Sequence, residues 1–210
     1  YVELVFNQEV ATWLRVHRRA FEFFGGVPHR VVLDNLKAGI TKACQYDHEV
    51  QRSYRDFATA YDFIISPCKP RTPKHKGKVE KGGVHYVKRN FLAGKTFVNL
   101  HDANEQARDW ALTRAGLRDH GTTHQQPLHV FTNVEQYTLK PLPAKPYAIT
   151  LWKQAVLYRD VHVTFDKSFY SAPHRLVGKS LWIAGTSDFV RIYDEWELVA
   201  QHVTATVPGT

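Results

Sequence analysis

Two carboxylates have the type and setting for metal chemistry. Glu80 heads the series Glu80, Val84, Val87, Phe91, spaced i, i+4, i+7, i+11, so a helix through this region carries an acid on its apolar stripe. An ionised carboxylate there is costly unless it is paired or binds a metal. Asp34 follows Arg30-Val31-Val32-Leu33, a short run without alternation, as expected for a parallel strand buried on both faces. It therefore sits at a strand's carboxyl end, where ligands of open α/β sheets bind. A strand-end acid and an acid on a neighbouring helix make a natural site for Mg²⁺ or Mn²⁺, hard cations that prefer oxygen and keep positions open for phosphate. The plain alternatives are that Asp34 caps the backbone from Asn35 onward and that Glu80 pairs with Lys76 or Lys81.

The cations around Glu80 point the same way. The formal net charge is +8 and the sequence pI is 9.5. Between Lys69 and Lys95, nine Lys or Arg (among them Lys74, Lys76, Lys78, Lys81, Lys88 and Arg89) stand against the single acid Glu80, so this segment carries the whole excess. A polyanionic partner is the expectation and a solvated basic helix face is the alternative. A metal-binding acid inside a phosphate-attracting patch fits phosphoryl transfer.

Several elements must position these groups. Tyr1 to Phe6 reads as a strand. Asn7-Gln8-Glu9 opens a helix with Val10, Leu14, His17, Phe21 and Phe24 on one stripe, closed by Gly25-Gly26 and Pro28. Gln51 to Tyr61 reads as a second helix and Asp62 to Ser66 as a strand. Pro67, Pro70 and Pro73 then force a loop ahead of helices from Lys74 to Phe91 and from Leu100 to Leu117. This alternation predicts an α/β layer with a largely parallel sheet over residues 1–119. Residues 120–148 lose periodicity and gather Pro127, Pro141, Pro143 and Pro146, which predicts an extended linker. Residues 149–210 then read as a small β-barrel of SH3-like size, with strands Ala155–Tyr158, Val161–Phe165, Phe169–Ala172, Leu181–Ala184, Phe189–Tyr193 and Glu197–His202. Asp166-Lys167-Ser168 and Asp194-Glu195 are its expected turns.

The remaining features narrow the class. No apolar run approaches the roughly 18 residues of a membrane span, and no signal or transit segment is evident. Cys44 and Cys68 cannot form a disulfide framework or a four-ligand zinc site, which favours a cytosolic setting. Cys68 beside Lys69 lacks a nucleophile constellation, and His120, His124 and His129 lack a fourth ligand and a rigid scaffold. Trp152, Trp182 and Trp196 read as core or rim residues rather than a base-stacking platform. A chain that opens on Tyr1 in mid-strand and holds no methionine reads as a piece of a longer protein.

Val32-Leu33-Asp34-Asn35-Leu36-Lys37, Pro67-Cys68-Lys69-Pro70, Lys76-Gly77-Lys78-Val79-Glu80 and His120-Gly121-Thr122-Thr123 with Pro127, in this order and after Phe21-Glu22-Phe23-Phe24-Gly25-Gly26-Val27-Pro28, resemble IstA-type transposases of bacterial insertion sequences. These are DDE enzymes with the RNase H-like fold shared by retroviral integrases, and the likeness covers nearly the whole chain. It implies an RNase H-like mixed sheet with flanking helices, lacking its N-terminal strands, followed by the barrel. It implies that Asp34 is the second acid of the triad and Glu80 the third. The first would lie on a strand upstream of Tyr1, so residues 1–210 alone are not expected to cut DNA. The intact enzyme would hold two Mg²⁺ or Mn²⁺ ions, cleave transposon ends and join the 3′-hydroxyl to target DNA. Lys74, Lys76, Lys78, Lys81, Lys88 and Arg89 would contact the DNA backbone, largely without reading its sequence. The resemblance also implies a homo-oligomer on paired DNA ends, an IstB-type AAA+ ATPase as partner, no membrane association, and a bacterial cytoplasmic, nucleoid-associated location.

Two other readings use the same residues. One is a non-enzymatic DNA-binding module in which residues 69–95 grip phosphates and the acids only cap or pair. The other is a scaffold that assembles a transposition complex through the linker and barrel. Only the enzyme reading requires Asp34 and Glu80 to lie within reach of one metal site.

Overall fold

The computed structural model describes residues 1–33, 40–43, 48–67 and 83–207, with backbone alone for 40–43, 48–50 and 67. The chain divides into two compact units, 1–144 and 145–210.

In the first unit, helix α1 (Val10–Phe24) forms where the stripe predicts it and buries Leu14 and Phe21. It stops at Gly25, whose φ of 72° lies in the left-handed region that glycine adopts without a Cβ penalty. Gly26 meets a tighter limit, since a Cβ there would sit 2.7 Å from Leu139 Cβ and 2.8 Å from the Lys140 carbonyl oxygen. The close approach lets Val27 and Lys140 exchange both backbone hydrogen bonds, at 2.9 and 2.8 Å.

Strand β1 (Arg30–Leu33) then pairs in parallel with β4 (Ile64–Pro67). Between them lie a hairpin, β2 (Ile40–Ala43) with β3 (His48–Val50), and helix α2 (Arg52–Tyr61). The sequence pattern did not anticipate that hairpin. Helix α2 begins at Gln51, whose side-chain oxygen accepts the Tyr54 N–H at 2.9 Å, and ends at Asp62 in a left-handed conformation. It brings Tyr54, Phe57 and Tyr61 against Phe21 and Phe63 in an aromatic core that His17 and Trp13 also enter. Strand β1 departs from its expected burial on both faces. Leu33 is buried, but Val32 is 55% exposed, as is Ile64 of β4 at 58%, because the described sheet has two strands and one covered face.

A short helix, α3 (His85–Val87), runs on through a π-helical turn, Lys88–Leu92. Helix α4 (Leu100–Trp110) likewise continues through Ala111–Ala115, close to the extent its periodicity predicts. Asn99 starts α4 by accepting the Asp102 N–H at 2.9 Å, while the Asp102 carboxylate accepts the N–H of Val98, the residue before Asn99, at 3.0 Å. Phe91, Ala107 and Trp110 form a second small core that Val2 and Leu4 join. Residues 1–5 are not a strand. They lie as an irregular segment whose backbone is held by a helix side chain, Asn104, instead of a neighbouring strand.

The expected extended linker also differs. Pro127, at the first helical position, starts α5 (Pro127–Val130), which continues through Phe131–Glu135 and Gln136–Thr138. Phe131 packs on Phe24 with ring centroids 5.3 Å apart. With the bridge to Val27, this fastens residues 127–140 into the first unit.

The second unit contains a four-stranded antiparallel sheet, ordered β10 (Glu197–Val203), β9 (Phe189–Asp194), β8 (Ser180–Gly185), β5 (Leu151–Val156). It also contains a hairpin of β6 (His162–Phe165) and β7 (Ser168–Ser171). Asp166 and Lys167 join β6 to β7 with φ of 46° and 65°, the two positive angles of a type I′ turn, as the sequence places it. Strand β5 begins four residues before the expected start and ends at Val156, since Leu157 turns into the core and donates its N–H to Lys179. Leu157, Val163, Phe165, Leu181, Ile183, Val190 and Ile192 make one core between sheet and hairpin. The phenol of Tyr170 accepts the Ala205 N–H and His202 Nε2 contacts the Ser171 carbonyl, which closes β10 against β7.

Candidate functional site

Asp34, the first carboxylate of the expected metal site, directly follows Leu33 at the carboxyl end of β1. Asp34 itself lies outside the described residues, as do Glu80, Lys74, Lys76, Lys78 and Lys81. Two carboxylates supply hard oxygen donors, a set suited to Mg²⁺ or Mn²⁺ and ill suited to softer metals. Among the described residues, no group of three or more His, Cys, Asp or Glu could hold a metal.

The described part of the basic segment is residues 83–95, helical over 83–92. Three of its side chains fix its orientation. Tyr86 lies 5.4 Å from Trp110 and Phe91 also 5.4 Å, ring centroid to centroid, while Val87 packs beside them. The Arg118 guanidinium sits 3.7 Å over the Tyr86 ring, a cation–π contact, and Lys95 lies 4.5 Å over Phe91. With Tyr86, Val87 and Phe91 turned inward, Lys88 and Arg89 are exposed, where they can reach a phosphate backbone. Of the predicted apolar stripe, Phe91 is 1% exposed and Val84 50%. The stripe therefore sinks into the core only toward its carboxyl end, where the wider π turn brings Phe91 round to Trp110.

Arg118 and Asn104 are the contributors that sequence reasoning missed. Arg118 stands 32 residues from the ring it covers, and nothing in its local sequence marks the contact. The histidines His120, His124 and His129 fall in an irregular turn and a short helix. His124 donates its backbone N–H to the His120 carbonyl at 2.8 Å, and these histidines belong to no metal-binding cluster among the described residues. Cys44 and Cys68 lie outside the described residues.

Electrostatics in the rest of the unit is structural. Burial holds His17 below its ordinary pKa, opposed by its Nδ1 contact to the Trp13 carbonyl. Lys140, 2.7 Å from the Asp62 carboxylate, lowers the Asp62 pKa through a hydrogen bond and charge. Burial raises the Tyr54 phenol. No helix among the described residues is long and apolar enough to cross a membrane.

Comparison with known proteins adds an independent line. Residues 142–209 match the family model described as Mu transposase, C-terminal domain. A protein of Mycobacterium tuberculosis described as a transposase is 36% identical over 97% of this chain and 50% of its own length. A transposase for an IS21-like insertion sequence element of Bacteroides fragilis is 30% identical over 97% of the chain and 40% of its own length. The transposase for insertion sequence element IS21 of Pseudomonas aeruginosa is 31% identical over 88% and 47% respectively. The chain thus spans half or less of the length of these relatives.

Proposed function

Starting from its similarity, along nearly the whole chain, to proteins named as insertion-sequence transposases, we propose that this chain is part of a DNA transposase of the IstA type. The observation that carries the reading is the extent of the likeness: it runs through 97% of the chain, so it takes in the Asp34 and Glu80 segments and the basic run between Lys69 and Lys95. The first unit is proposed to be the larger part of an RNase H-like catalytic domain and the second an SH3-like barrel.

Asp34 and Glu80, with a third carboxylate from elsewhere in the protein, would hold two Mg²⁺ ions. When bound, such ions activate a water or a DNA 3′-hydroxyl and stabilise the leaving oxygen. The chain's own residues would do the positioning. Strand β1, fixed by its parallel pairing with β4, leads the backbone to Asp34. The helical segment after Glu80 is anchored by Tyr86 and Phe91 on Trp110. Lys88 and Arg89, with Lys74, Lys76, Lys78 and Lys81, would neutralise backbone phosphates. The proposed partners are transposon ends and target DNA, further copies of the same protein on paired ends, and an IstB-type AAA+ ATPase.

The test is strand transfer by the longer protein that carries this chain, with Asp34→Asn and Glu80→Gln compared against the unchanged protein. Loss of an outer partner of a metal ligand already costs about 10- to 100-fold. Each ligand substitution should exceed that loss while leaving binding to transposon-end DNA intact. Retained strand transfer in both variants would leave a DNA-binding module as the better account.

A further inference from the structure

Arg118 is held in place but left without an acceptor. Its guanidinium lies 3.7 Å over the Tyr86 ring, and Tyr86 leans on Trp110 at 5.4 Å, so cation and rings form one stack beside the 83–92 helix. An arginine just past a helix commonly caps the last carbonyls or pairs with a carboxylate. Among the described residues Arg118 does neither, although Asp119 follows it directly. Its Nε is enclosed and meets no acceptor. The two terminal nitrogens also lack an acceptor but are not enclosed, so the half-buried side chain ends in an open fork.

Such a fork suits a narrow ligand chemistry. A guanidinium held flat against a ring keeps its in-plane N–H groups free, and its two ends match the paired oxygens of a phosphate or a carboxylate. The stack already restrains the long side chain, so less rotamer freedom is lost on binding. The surroundings select between the two anions. Tyr86 precedes the exposed Lys88 and Arg89 by two and three residues, so the ring beneath the fork stands within about 5 Å of them along the helix axis. A single carboxylate needs one cation, whereas a duplex presents a charge about every 1.7 Å along its axis and is bound best by several. Arg114, four residues earlier, is the contrasting case. It lines a cleft with Asp102, Glu105 and Asp109, whose charges oppose a phosphate, and Arg118 lies outside that cleft.

We infer that Arg118 is a further DNA-contacting residue, which takes a backbone phosphate end-on through its two terminal nitrogens while the Tyr86 ring holds it in position. The inference rests on the DNA-binding reading above and extends the binding surface from the 69–95 segment to the end of α4.

The test is binding of a fluorescent duplex, read by anisotropy across a salt series, with the longer protein that carries this chain. Arg118→Gln should weaken binding about tenfold and flatten the slope of log affinity against log salt by about 1, the loss of one phosphate contact. Arg118→Lys keeps the charge and gives up the planar fork, so it should recover the slope while binding less tightly than the unchanged protein. Arg114→Gln removes an equal charge and should leave the slope alone. Tyr86→Phe, which keeps the ring, should bind as the unchanged protein does. Tyr86→Leu should weaken binding about two- to fivefold, the reach of a cation–π contact, and should add nothing in the Arg118→Gln protein. The slope counts contacts and is blind to the active fraction, so a poorly folded variant does not imitate the result. The proposal is overturned by an unchanged slope in Arg118→Gln, by equal flattening in Arg114→Gln, or by a Tyr86→Leu effect that persists undiminished in the Arg118→Gln background. Lys88→Ala separates the two failures. If it flattens the slope where Arg118→Gln does not, the proposal fails alone; if neither does, the duplex-binding reading fails with it.

Discussion

Asn104 closes both backbone hydrogen bonds of Leu4: its Oδ1 accepts the Leu4 N–H at 2.7 Å and its Nδ2 donates to the Leu4 carbonyl at 3.0 Å. A side-chain amide on helix α4 thus does for residues 1–5 what a paired strand would do. Replacing Asn104 with alanine removes both bonds from a half-buried site, and the first unit should lose about 1–3 kcal/mol. Urea unfolding of the variant against the parent measures it, and an unchanged midpoint would show that the segment is held by its other contacts, the packing of Val2 and Leu4, the Arg19–Glu3 pair and Tyr1 on Phe23.

His17 makes stability depend on pH. Because burial lowers its folded pKa, the unfolded chain binds the proton more readily. The stabilisation is therefore complete above the unfolded value of about 6.5, declines as pH falls through it, and levels off below the folded pKa. Urea midpoints at pH 7.5 and 5.5 should show this drop, and His17→Phe, which suits the surrounding aromatic rings, should flatten it.

The Tyr54 hydroxyl is buried and makes no hydrogen bond among the described residues. Tyr54→Phe keeps the ring stacked among Trp13, His17 and Phe57 and removes only that hydroxyl. The expected change is between zero and about 1 kcal/mol of added stability, read as a rise in melting temperature.

Gly185 lies under the Phe165 ring, where an added Cβ would come within 2.2 Å of a ring carbon. Gly185→Ala should destabilise the second unit by about 1–3 kcal/mol through overpacking. A second variant, Gly185→Ala with Phe165→Leu, should recover part of the loss if the collision is the cause.

Lys88→Ala and Arg89→Ala should weaken duplex binding uniformly across DNA sequences. Each lost phosphate contact should flatten the slope of log affinity against log salt by about 1. Filter binding across a salt series distinguishes this from a folding defect, which would lower the active fraction without changing the slope.

Much of the fold was legible because periodic burial writes itself into residue type. The stripe from Val10 to Phe24, the aromatic spacing of Tyr54, Phe57 and Tyr61, and the strands around Asp166-Lys167 all followed from local pattern. What local pattern did not carry was decided by distant partners. Tyr1 to Phe6 has strand-like composition, yet Asn104 takes the place of a neighbouring strand. Residues 127–138 contain a proline that reads as linker but in fact opens a helix, which Phe24 then receives. At the candidate site, Lys88 and Arg89 are exposed, and the Arg118–Tyr86 contact had no local signal in the sequence.

The bridge between Val27 and Lys140 has a consequence for how the protein folds during synthesis. The first unit closes through pairs far apart along the chain, Leu4 with Asn104 and Val27 with Lys140, so its loop-closure entropy is met before those contacts stabilise it. Helix α1 must wait for residue 140 to leave the ribosome before the turn that ends it is covered. The second unit closes over shorter separations: β6–β7, β8–β9 and β9–β10 are consecutive hairpins, and β5 joins β8 across the β6–β7 hairpin. In refolding experiments its tryptophans should reach their native signal before Trp13 and Trp110 of the first unit, which wait on those distant closures.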